Sequence, residues 1–280
     1  MKLIHSARLK SRKFLARKKS SSPFLSSDAF IEICSHKFMD EESLLSAVSN
    51  SQKAGTLLSV FVKSDNAPQF YETSKLHRLE FNSVLYGDSD LDLDLDCIPF
   101  SQIHQNILVQ NQNFSHERVH PLPIGIENLS RFYNGRPELF GKKYFNKEKN
   151  RKVLVGPFGA THDDRRILNS LSSDEHLTVL PTRMTPDDYA RYSSDFQFIA
   201  CPRGNGLDTH RFWESLYRGS IPIVLDSIWS QYIRRLNIPI LIVSKWDREE
   251  ISQAMVSCTW SGFNPTLIDP LWIDYWQEKL

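Results

Sequence analysis

From residue 151 onward the chain alternates short apolar runs with helix-length segments of mixed polarity. The runs cover residues 153–155, 177–180, 196–201, 221–225 and 240–243. Runs this short and this uniformly apolar suit strands buried on both faces, and the segments between them suit crossover helices. The pattern predicts a parallel, Rossmann-like sheet over 151–258. Residues 28–128 show a looser version. Residues 30–34, 56–62, 83–86 and 107–109 read as strands and 41–48 as a short helix, giving a first α/β half. Between the halves, 129–150 contains Gly135, Pro137 and Gly141 and ends in lysines, so it reads as a linker. The final stretch, 259–280, holds Trp260, Phe263, Trp272, Tyr275 and Trp276 and is expected to pack at the junction of the halves, where large aromatics contribute most. The expected fold class is α/β, with two Rossmann-like α/β/α domains facing each other across a crevice.

The candidate chemistry concentrates in residues 196–225, FQFIACPRGNGLDTHRFWESLYRGSIPIVL. Two buried-strand runs flank a glycine loop and a helix. Asp208 or Thr209 can cap the helix start, and Gly219 stands where its C-terminal stop is expected. A right-handed crossover opens that loop at the carboxyl edge of the sheet, where ligands bind in open α/β folds. A diphosphate there would meet Arg203, Gly204, Asn205, Gly206 and Asp208 of the loop, the positive end of the helix, and Arg211 in its first turn. Arg211, Glu214 and Arg218 share one helix face, while Phe212, Trp213, Leu216 and Tyr217 form the buried one. Glu214 is then suited to ribose hydroxyls; the alternative is a solvated helix with an Arg–Glu pair. The sequence Gly156-Pro157-Phe158-Gly159 follows the first strand of the same half, with Thr161, Arg165 and Arg166 leading into the next helix. One of these arginines could reach the same diphosphate, or the segment is a solvated basic turn.

In the first half the run GDSDLDLDLD admits three readings. Asp88-Ser89-Asp90 fits a divalent-cation pattern of hard oxygen ligands. The alternation of Leu with Asp92, Asp94 and Asp96 fits one half-buried edge strand. As a third reading, Asp88 or Asp90 serves as a base or sugar contact at the crevice. No metal site is expected. Asp90 is the first candidate for a catalytic base and Asp65, after the 56–62 strand, the second; otherwise both cap turns. His116 and His120 have helical metal-pair spacing, but Pro121 follows and no acid completes the set, so a structural role is expected.

A net charge of +1 argues against a global field for nucleic acid. The cysteines Cys34, Cys97, Cys201 and Cys258 are far apart and include no Cys-x-x-Cys, which suits a reducing cytoplasm. No apolar run approaches the roughly 20 residues that span a bilayer. Residues 1–27 are rich in Lys, Arg and Ser, with the first acid at Asp28. They read as a disordered basic arm that could touch a membrane surface; a surface helix and a transit peptide are the alternatives.

The stretch CPRGNGLDTHRFWESLYRGSIPIV resembles the C-terminal signature of exostosin-like glycosyltransferases, whose Pro-Arg-Gly loop and Arg-x-x-Glu helix belong to the nucleotide-sugar site. QNQNFSHERVHPLPIGIEN is similar to a segment of bacterial and viral members. THDDRRILNSL resembles a Thr-Asn…Arg segment of these enzymes and of fucosyltransferases, with His162 where Asn is usual. The resemblance implies a GT-B arrangement and transfer from a nucleotide-diphosphate sugar to a glycan or other hydroxyl acceptor. It also implies inversion, and the arginines would serve without a metal or further cofactor. Two other classes stay open: a GT-A-type or other Mg/Mn-dependent enzyme using Asp88 and Asp90, and an inactive nucleotide- or glycan-binding scaffold.

Overall fold

The computed structural model describes residues 23–90, 92–131, 133–145, 147–259 and 262–280; most of the basic arm, and Trp260, lie outside them. The first half runs α1 (Ser27–Ile33), β1 (His36–Lys37), α2 (Glu41–Lys53), β2 (Leu58–Lys63), α3 (Ala67–Leu76), β3 (Phe81–Gly87), β4 (Ile107–Val109) and β5 (Val119–Pro121). After the short α4 (Lys142–Phe145), the second half runs β6 (Asn150–Val155), α5 (Asp163–Asn169), β7 (Leu177–Val179), α6 (Pro186–Ser193), β8 (Phe196–Ala200), α7 (His210–Tyr217), β9 (Ile221–Leu225), α8 (Ile228–Arg235), β10 (Leu241–Val243) and α9 (Arg248–Ser257). The chain finishes with α10 (Ile273–Gln277). Each half carries one parallel five-stranded sheet, so the molecule is α/β with two Rossmann-like units.

Strand order decides where the core lies. The first sheet is ordered β1-β2-β3-β4-β5, always stepping the same way. Right-handed crossovers then fall on one face only. Accordingly Leu44, Val48 and Phe70 of α2 and α3 pack on Val60, Val62, Val84, Tyr86, Ile107 and Val109. The alternate side chains Phe61, Leu85 and Leu108 point to the other face and join a cluster drawn mostly from the second half and the termini. Trp276 of α10 meets Phe30 of α1 there, with ring centroids 6.0 Å apart. Nearby, Ser59 Oγ donates to the Leu280 carbonyl at 3.0 Å.

The second sheet is ordered β10-β9-β8-β6-β7, so the chain reverses direction after β7. Helices therefore cover both faces. Leu168 of α5 and Ile251 and Met255 of α9 lie on one side. Ala190 of α6, Phe212 and Leu216 of α7, and Trp229 of α8 lie on the other, inside the cluster shared with the first half.

Four expectations need correction. Residues 30–34 are not a strand: Ser26 caps α1 by accepting from the Ala29 N–H at 3.1 Å, Asp28 sits in the first turn, and Ala29 and Phe30 are buried. The arm does not extend to residue 27, because Phe24 and Leu25 are core and Leu25 N donates to the Tyr217 hydroxyl at 3.0 Å. Ser26 also bridges Gly125, which has φ +65°; a Cβ at Gly125 would fall 1.9 Å from the Leu25 carbonyl oxygen. The Leu/Asp alternation is not an edge strand: the Asp94 carboxylate accepts from Asp96 N and winds Leu95–Cys97 into a 3-10 turn. Finally, 129–150 is more than a linker. Leu139, Phe140 and Tyr144 are buried in the shared core, and the buried Arg136 pairs with Asp187. Among the described residues no helix is long and apolar enough to cross a membrane.

Candidate functional site

The reversal in the second sheet separates the loops that leave β6 and β8, and ligands in open α/β folds bind at such a switch point. Here the two loops and the start of α7 line a cavity of about 540 Å³, with Asp90 and Ile124 of the first half opposite. Its wall carries Arg131, Arg165, Arg183, Arg211 and Arg218 against three carboxyls, Asp90, Asp208 and Glu214. Two of those carboxyls are buried and engaged. Glu214 pairs with Arg218 at 3.5 Å, with side chains only 11% and 3% exposed. Asp208 accepts from Ile124 N and from Trp213 Nε1, both at 2.8 Å. Asp208 is fully enclosed, and burial pushes its pKa up to about 7 against those two donors and the Thr209 backbone N–H.

Arg165 and Arg211 form the cationic centre. Arg165 Nε donates to the Arg203 carbonyl at 2.9 Å, so the guanidinium lies over the glycine loop. Burial, and then the nearby Arg211 charge, lower its pKa. Arg211 is held between two rings, 4.7 Å from the Phe158 centroid and 5.0 Å from that of Tyr189, while Nη2 donates to the Pro157 carbonyl at 3.0 Å. Its Nη1 is buried and has no hydrogen-bond partner among the described residues. An orphaned guanidinium nitrogen beside a second, half-buried cation is a site suited to an anion. Thr209, the N-cap of α7, makes no side-chain cap, which leaves first-turn N–H groups beside the same centre.

The other sequence-predicted residues separate. Thr161, Gly204, Asn205 and Gly206 line the cavity with Arg165, Arg211 and Glu214. Arg203 is not among its lining residues; its Nη2 turns back to the Asn205 carbonyl at 3.0 Å. Arg166 pairs with Asp163 on the exposed side of α5. Of the two expected caps, Thr209 holds the N-cap position, and Asp208, within the cavity lining, is a joint between the halves. The glycines permit close approach: a Cβ on Gly204 would lie 2.7 Å from Arg165 Nη2, and one on Gly206 2.4 Å from Asn111 Oδ1.

The facing wall comes from the first half. Gln110 and Asn111 are buried and hold the 88–90 loop: Gln110 Oε1 accepts from Asp88 N at 2.9 Å, and Asn111 Nδ2 donates to the Ser89 carbonyl at 3.3 Å. Asn111 Oδ1 also accepts from Asp208 N at 3.0 Å, joining the halves. Asp90 accepts from Asn205 Nδ2 at 3.1 Å, and Asp88 from Asn128 Nδ2 at 3.4 Å. Among the described residues no group of three or more His, Cys, Asp or Glu is placed to hold a metal ion. A second cavity of about 370 Å³ adjoins the first and is lined by Lys63, Asp65, Asp88, Ser89, Asp90, Gln110, Asn128 and His210, among others. Asp65 pairs with Lys63 at 2.9 Å, a contact that keeps its carboxyl below the ordinary range.

Sequence reasoning missed the bridging role of Asn111 and the position of His210. The first was visible only as an Asn/Gln cluster after a strand. The second was hidden in the helix signature, although its place one residue past the loop put it at the cavity edge. No protein-family model matches the chain, and no curated protein matches it.

Proposed function

We propose that the protein is a nucleotide-sugar-dependent glycosyltransferase of GT-B arrangement. What supports this most is the pair Arg165 and Arg211 beside the glycine loop and the uncapped helix start, with Arg211 Nη1 buried and unpaired. The donor diphosphate would lie against these groups, which meet the charge that develops as it leaves. Glu214, one turn along α7 and lining the same cavity, would receive ribose hydroxyls. A glycan or other hydroxyl acceptor would come from the first-half side, through the smaller cavity, giving inversion by in-line attack. The positive charge is supplied by the protein, so the reading includes no cofactor besides the donor and no nucleic-acid partner. A cavity of about 540 Å³ is in the size range of small-molecule sites.

The test is a thermal-shift panel of UDP, GDP, CMP and their sugars, followed by transfer assays with and without chelator. A ligand that binds only the folded state raises the midpoint, so at least one nucleoside diphosphate should do so. If none shifts it, the reading fails. If chelator abolishes transfer, the metal-dependent alternative using Asp88 and Asp90 replaces it.

A further inference from the structure

Asp90, Ile124, Arg131 and His210 line both cavities. A group that takes a proton from an acceptor in one cavity and acts on a donor in the other belongs on this shared wall. Of the four, Asp90 and His210 carry a side-chain lone pair suited to the task. Their settings differ. Asp90 is exposed, and its Oδ2 already accepts from Asn205. His210 is half-buried at the first position of α7, and its Nδ1 lies 2.9 Å from the Gly125 carbonyl oxygen. A carbonyl only accepts, so Nδ1 carries the hydrogen of that contact. In the neutral ring Nε2 is then bare, and among the described residues it has no hydrogen-bond partner. One ring nitrogen anchored by a third group, with the other free beside a cavity, is how imidazole bases are oriented.

We propose that His210 is the general base of the transfer, acting on a hydroxyl of a sugar acceptor held in the 370 Å³ cavity. The assignment rests on the transferase reading above. Lys63, Ser89, Gln110 and Asn128 line that cavity together with Asp65 and Asp88, and a mixture of donors and acceptors suits a hydroxyl-rich pyranose. In the step, the acceptor O–H bond breaks and its proton passes to Nε2. The oxygen's electron pair forms the bond to the anomeric carbon. The bond from that carbon to the donor phosphate oxygen breaks, and its pair departs on the diphosphate beside Arg165 and Arg211. The Gly125 carbonyl holds the Nδ1–H of the imidazolium until Nε2 returns its proton to water. Asp90, the base expected from sequence, instead anchors the glycine loop through Asn205 and borders the acceptor.

The test uses the full-length protein and separates binding from turnover. His210→Asn keeps an amide N–H where Nδ1 meets Gly125 but has nothing in place of Nε2. Nucleoside diphosphate binding should stay close to wild type while transfer falls by about 10²–10⁴. Added imidazole should restore part of the turnover of His210→Ala, a rescue that a merely structural role would not give, and should do nothing for Asp90→Asn. The assignment is overturned if His210→Asn turns over within about tenfold of wild type, well short of a general-base loss. Parallel losses of binding and transfer, with no rescue of His210→Ala, overturn it as well. A folded wild type that transfers sugar from no nucleotide donor defeats the transferase reading itself.

Discussion

The two sheets share strand number and direction yet differ in what they leave uncovered. The second reverses after β7, so its crossovers clothe both faces and its edge splits into a crevice. The first steps one way throughout, so its own helices clothe one face and the other is covered by α1, α10 and the second half. Topology therefore separates the two: one sheet opens a crevice at its own switch point, and the other supplies the facing wall and depends on its neighbour for burial.

The largest effect that tests this dependence is expected from Trp276, which is almost wholly buried between the termini and the first sheet. Trp276→Ala should cost about 3–5 kcal/mol in denaturant unfolding. Native-state hydrogen exchange should accelerate in β2 to β4. Unchanged exchange there would show that the first sheet stands without its borrowed cover.

The next concerns the joint. Asp208 has a folded pKa of about 7 against an ordinary 3.8. The folded state thus binds the proton more tightly than the unfolded state. Stability from this group is fully present below about pH 4 and declines as pH rises through 7, by at most about 4 kcal/mol. Urea unfolding of wild type and Asp208→Asn from pH 4 to 8 measures it; the slope should flatten in the variant. Identical slopes would mean that Asp208 is ionised in place and that its hydrogen-bond donors outweigh burial.

The smallest distinguishes residues within the crevice half. Arg165→Ala and Arg211→Ala should each weaken nucleoside diphosphate binding by about 1.5–3 kcal/mol. Arg166→Ala, on the exposed side of α5, should stay within about 0.5 kcal/mol. Titration calorimetry decides, and equal losses at all three would dissolve the contrast between cavity wall and surface.

The crevice half was more legible in sequence than the other. Strands buried on both faces leave continuous apolar runs, so β6 to β10 and the loops at 156–159 and 203–206 stood out. The helix at Ser27–Ile33 was misread because FIEIC, five residues long, satisfies both a strand and one face of a helix; Ser26 decides between them. Arg165 and Arg166 are adjacent in sequence but leave α5 about 100° apart, and only the fold tells which enters the cavity. The contacts that Asn111, His210 and Asp208 make across the halves escaped because their partners are 97, 85 and 84 residues away, beyond any local pattern.

The stretch from Asn205 to His210 is fastened to the first half four times: through Asp90, through Asn111, through Ile124 and through Gly125. Such riveting has a kinetic consequence. A hinge at this seam would have to break several hydrogen bonds together, so the two halves should not swing apart here each time a molecule arrives. Capture should then follow a single bimolecular phase whose rate scales with concentration up to the practical limit of mixing, without the plateau of a preceding opening step. Tightness would be set by how slowly the occupant leaves.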